Sequence, residues 1–79
     1  MEDNALAAAP DDYSPELEKI EIDLLLEAIH RHYGFDFRSY AYSSLRRRIW
    51  KRILAEKLHT VSALQDRVLH SATAMERLL

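Results

Sequence analysis

Four cations, Arg47, Arg48, Lys51 and Arg52, stand at i, i+1, i+4 and i+5 in one short stretch. At 100° per residue a helix gathers them within an arc of about 140°. Their chemistry is anion recognition. A guanidinium fork takes a carboxylate or phosphate bidentately, and several neighbouring cations create a field that one alone cannot. A solvated helix face is the competing reading, but four like charges so close repel one another and call for compensation. Part of that could be intramolecular, from the acids of the helix expected over about 15–33. Other chemistry is poorly served. There is no cysteine, hence no disulfide framework and no thiolate metal site. His30 and His32 would sit about 200° apart on a helix and cannot chelate one metal, and neither His59 nor His70 has an acid-rich neighbourhood. No Ser/His/Asp set can be assembled, so no catalytic residue, metal or cofactor site is expected within this chain.

The chain of 79 residues is one small domain, able to bury about 60–65% of its unfolded surface. A single glycine, Gly34, and two prolines, Pro10 and Pro15, cannot supply the turns of a β-sandwich or the glycine loops that cradle phosphates. An all-α fold is what remains. The formal net charge of −2 hides an asymmetry: residues 1–37 carry ten acids against Lys19 and Arg31, whereas residues 38–79 carry nine bases against Glu56, Asp66 and Glu76. This predicts a basic binding face in the second half. The first residues are acidic and no apolar run approaches the roughly 18–20 residues of a membrane span, so a cytoplasmic protein is expected, with no membrane insertion.

The elements that position the cations follow from capping and periodicity. Residues 1–13 lack an apolar stripe and are expected to form a flexible acidic tail, with the domain running over 14–79. Ser14-Pro15 predicts an N-cap and first helical position, opening a helix over about 15–33 that Gly34 closes. Its apolar residues form two stripes, Leu17/Ile20/Leu24/Ala28 and Ile22/Leu25/Leu26/Ile29/Tyr33, so it should be largely covered by neighbours. In the connector, Phe35 or Phe37 and Tyr40 are expected to tuck against the helices. A second helix over about 42–57 places Leu45, Ile49, Trp50, Ile53 and Leu54 opposite the four cations. Arg46 falls in the apolar arc, to snorkel over Trp50 or to pair with an acid of the first helix. Thr60 and Ser71 predict caps for a third helix over 61–69 and a fourth from Ala72, with Val61, Leu64, Val68, Met75, Leu78 and Leu79 inward. The expectation is a three- to four-helix bundle. Its end at Leu79, in mid-stripe, suggests a piece of a longer protein.

The ordered combination Ile20-Glu21-Ile22-Asp23-Leu24-Leu25-Leu26-Glu27-Ala28-Ile29, Tyr33-Gly34-Phe35-Asp36-Phe37-Arg38-Ser39-Tyr40 and Ser44-Leu45-Arg46-Arg47-Arg48-Ile49 resembles the N-terminal domain of the CheR family of chemotaxis-receptor methyltransferases. The likeness extends more weakly through Val61-Ser62-Ala63-Leu64 and Met75-Glu76-Arg77-Leu78-Leu79. It implies a parent enzyme that transfers a methyl group from S-adenosylmethionine to receptor glutamates, through a catalytic domain that this chain lacks. It also implies that the basic second helix meets the acidic methylation region of bacterial chemoreceptors, at the matching positions Arg48, Lys51 and Arg52 with Arg47 beside them. Its own catalytic domain and a regulatory adaptor on the same face are further expected partners, and a monomer is expected. Lys57 stands where many relatives have a capping glycine, which predicts a less sharp end to the second helix.

Two other functions compete. Helix-turn-helix-like binding of nucleic acid would use the second helix, but the acidic first half and a pI near 6.0 oppose phosphate. A structural lid would pair the basic face with the catalytic domain.

Overall fold

A computed structural model describes residues 9–79. Among them the chain forms four helices and no strand: α1 (Pro15–Tyr33), α2 (Tyr42–Ala55), α3 (Val61–His70) and α4 (Ala72–Leu78). The predicted caps are in place. Ser14 Oγ accepts from the Leu17 amide, Thr60 Oγ1 from Ala63 and Ser71 Oγ from Ala74. Gly34 closes α1 in the left-handed region, at φ 85°.

α2 ends two residues earlier than expected, and sharply. Lys57 takes the left-handed conformation itself, at φ 60°. Its amide donates to the Leu54 carbonyl and that of Leu58 to Ile53, the paired bonds of a Schellman turn. Leu58 then packs against the core that Ile53 belongs to, and this contact holds a side chain where glycine would be less strained.

α1 lies chiefly on α3; α2 packs on α3 and α4, and α4 folds back on α3. Their common core is Ile22, Leu25 and Ile29 of α1; Leu45, Ile49, Trp50 and Ile53 of α2; Val61, Leu64 and Val68 of α3; and Ala74, Met75 and Leu78 of α4. Three apolar expectations are corrected. Only one stripe of α1 is covered: Leu17, Ile20 and Leu24 lie about 140° around the helix from the core-facing residues and stay roughly half exposed. Leu54 falls only about 20° from Arg47 on the helical projection and is exposed with it. Leu79 also points outward, while the small side chain of Ala74 is enclosed.

The connector is held by Phe37, half-buried against the core, with Tyr40 edge-on to it at 5.4 Å yet itself exposed. Tyr33 ties the end of α1 to α3 through a 2.6 Å bond from its hydroxyl to the Val68 carbonyl. Of the expected acidic tail, residues 1–8 lie outside the described residues. Residues 9–13 are placed: the Tyr13 amide closes a turn on the Pro10 carbonyl, and the Tyr13 ring meets Trp50 edge-on at 4.9 Å. A lone aromatic ahead of the cap carries no periodic signal, so nothing in the pattern marked it as part of the packed domain.

Candidate functional site

α2 must present its cations outward while its other side is buried, and one carboxylate anchors that orientation. Glu18 of α1 is 5% exposed and accepts from Arg46 Nε at 2.9 Å through both oxygens and from Trp50 Nε1 at 2.5 Å. Arg46 therefore pairs with the first helix rather than snorkelling, and the buried indole N–H is satisfied. The burial of Glu18 is offset by two donors, one of them charged.

With that side fixed, Arg48, Lys51 and Arg52 line one open hollow of about 220 Å³. Arg47 is exposed beside it and does not line it. Arg47 and Lys51 make no ion pair among the described residues, and Arg48 Nη1 donates to the Leu79 carbonyl at 3.0 Å. Compensation by the acids of α1 reaches Arg46 only. The hollow gains instead a cation that periodicity did not single out, Arg77 of α4.

Glu56, just past the end of α2, organises this edge. Its side chain is 8% exposed and sits among Arg77 at 2.6 Å, Arg67 at 3.0 Å and Arg52 at 3.5 Å, joining α2, α3 and α4. The hydrogen bond from Arg77, reinforced by the charges of Arg77 and Arg67 and a bond from Arg52, holds its carboxyl below the usual range. The Arg52–Glu56 spacing of four was legible in the sequence; the arrival of Arg67 and Arg77 depends on how α3 and α4 fold back.

The depressed carboxyl has a testable consequence. A carboxylate with a lowered folded pKa adds stability that is fully present above its unfolded value, near 4.5, and lost as pH falls through the folded value. Glu56→Gln should therefore melt below the wild type at neutral pH, and the two melting curves should converge as the pH is lowered well below 4.5. A gap that stays constant down to low pH would mean that the charge of Glu56 contributes nothing.

Comparison with known proteins agrees with the architecture. Residues 20–79 match the family model described as CheR methyltransferase, all-alpha domain. A Pseudomonas putida protein named "Putative methyltransferase Cher3" is 48% identical over 60 residues, covering 76% of this chain and 22% of that relative. No solved structure gives a significant match. The chain thus spans about a fifth of the length of the curated relative it matches. Four helices with no strand among the described residues, and a family match that runs from α1 through α4, place this chain in the CheR methyltransferase family as its all-alpha domain.

Proposed function

We propose that this domain is the substrate-recognition part of an S-adenosylmethionine-dependent methyltransferase, docking the acidic methylation helices of chemoreceptors on α2. The observation that carries this reading is the exposed basic face: Arg48, Lys51 and Arg52 around one hollow, Arg47 beside them, and α2 locked in that orientation by Glu18. Glutamates on one side of a receptor helix meet these cations in register, and methylation removes the charge being read, so substrate is favoured over product. A regulatory adaptor laid over the same face would inhibit by occlusion.

The chain's own residues do not fit the methyl donor. Its single glycine, Gly34, ends a helix with nothing within 4 Å of an added Cβ, and no strand-to-helix turn exists among the described residues. The donor and the transfer itself belong to the part of the parent enzyme outside this chain.

The test is an NMR titration of the domain with a helical receptor peptide bearing unmodified glutamates and with its glutamine-substituted control. Shifts should centre on Arg47, Arg48, Lys51 and Arg52 and weaken with the control. The double reversal Arg47→Glu, Lys51→Glu suits a quantitative check, because neither side chain makes an ion pair among the described residues and the fold should persist. Affinity should drop by at least about tenfold, since like charges then face one another. Equal binding of both peptides would overturn charge reading by α2.

A further inference from the structure

Two more hollows continue from the cationic one. Arg48 and Leu78 line both the cationic hollow and a narrow apolar one of about 20 Å³ that Leu45 and Ile49 floor. Leu26 and Phe37 in turn line both the apolar hollow and a third of about 210 Å³. The third has the opposite sign: Asp23, Glu27 and Asp36 line it against Arg38 and His30. Shared lining residues set the three side by side as an interrupted furrow, from α2 and α4 across to α1 and the connector.

The ends are not equally committed to their own partners. At the cationic end Glu56 holds Arg52 and Arg77 without itself lining the hollow, Arg48 donates to the Leu79 carbonyl, and Lys51 stays exposed with no ion pair among the described residues. At the acidic end Asp36 is engaged by Arg38 through both carboxylate oxygens and Asp23 by Lys19 at 2.8 Å. Glu27 reaches Arg31 only at 3.8 Å, with both side chains mostly exposed. Such a pair is weak and readily exchanged, so Glu27 is the carboxylate best able to take an incoming cation. Between the ends, the apolar hollow has room for a group the size of a water or a methyl.

We propose that this furrow binds a partner helix in one orientation: carboxylates on Arg48, Lys51, Arg52 and Arg77, a small apolar side chain over the hollow between Leu26, Leu45 and Leu78, and a basic side chain on Glu27. The inference rests on the reading of α2 as the seat of an acidic helix and adds direction and register. A basic face alone accepts any acidic helix in either direction; opposite charge at the far end, with an apolar step between, selects one.

The experiment uses the 79-residue chain and a fluorescent helical peptide carrying two glutamates at one end, alanine in the middle and lysine at the other end, with binding read by anisotropy. Glu27→Lys and Arg77→Glu should each weaken binding about tenfold, equivalent to ~1.4 kcal/mol. A peptide with glutamate in place of the lysine should bind the wild type poorly and regain its affinity on Glu27→Lys. Aspartate in place of the central alanine should also lower affinity, because it would set a carboxylate over an apolar hollow. Circular dichroism checks that both protein variants remain helical. If Glu27→Lys leaves affinity unchanged and the swapped peptide is not rescued, while Arg47→Glu, Lys51→Glu still abolishes binding, the oriented furrow is wrong and the basic face stands alone. If that double reversal is also silent, the receptor-helix reading itself fails.

Discussion

Trp50→Ala should lower the melting temperature by roughly 12–40 °C and leave little folded protein at 37 °C. Deleting a buried aromatic side chain costs about 3–5 kcal/mol, and each kcal/mol shifts the melting point of a domain this size by roughly 4–8 °C. Total stability for such a chain is on the order of 4–12 kcal/mol, so this single change removes a large share of it. The magnitude belongs at the upper end because Trp50 does three things. It is 1% exposed in the centre of the core, it donates to Glu18, and it meets the Tyr13 ring edge-on. Removing it opens a cavity, releases the segment ahead of α1 and leaves Glu18 with Arg46 alone. Trp50→Phe separates these effects. It keeps most of the apolar volume and loses the donor, so it should cost about 1–2 kcal/mol. Thermal melts of both variants read the difference; an alanine variant within 5 °C of wild type, on the order of a 1 kcal/mol change, would show that the core closes around the gap.

Trp50 also shows where sequence reasoning reaches and where it stops. Its place on the apolar side of α2 follows from periodicity, as do the helix bounds at Ser14, Gly34, Thr60 and Ser71, because caps and 3.6-residue spacing are local properties. The same reasoning put the four cations on one face, since residues four apart in a helix are neighbours whatever else happens. It could not see that Glu18 would hold Trp50 and Arg46 together, although an acid was one of two partners offered to Arg46. That contact joins residues 28 and 32 positions apart and depends on how α2 crosses α1. Arg77 was missed for the same reason. It lies on a seven-residue helix whose orientation is set by packing on α2 and α3, and only that packing carries its guanidinium to the edge where Arg52 stands. The half-exposed stripe of Leu17, Ile20 and Leu24 is the opposite failure. Amphipathic pattern says which residues prefer burial, and a bundle with three other short helices covers only one side of α1.

Glu21→Ala should be nearly as damaging as the loss of Trp50, for a reason that is electrostatic rather than steric. The first amides of a helix have no intrahelical partner. At the start of α3 they are met from three directions: Val61 N–H donates to the Tyr13 hydroxyl oxygen at 3.1 Å, Ser62 N–H to Glu21 at 3.2 Å, and Ala63 N–H to Thr60 Oγ1 at 3.0 Å. Glu21 also accepts from the hydroxyls of Tyr13 and Ser62. It is a carboxylate of α1 serving as a cap for α3, with its charge at the positive end of that helix. Alanine leaves the Tyr13 hydroxyl and two donors of Ser62 without their acceptor, with an expected loss of about 2–4 kcal/mol. Glutamine keeps one acceptor oxygen without the charge and should lose about half as much. Tyr13 supplies an independent readout. Burial, and then its hydrogen bond to Glu21, push its hydroxyl from 10.0 up to about 12. A raised folded pKa means stability that is present below pH 10 and lost as pH rises toward 12, because the unfolded chain ionises first. Tyr13→Phe should flatten that alkaline loss, and Glu21→Gln should bring the Tyr13 titration, followed by NMR, back toward 10. A Glu21→Ala variant that melts like wild type would mean that Thr60 and water satisfy α3 by themselves, and that α1 and α3 are held together by their apolar contacts alone.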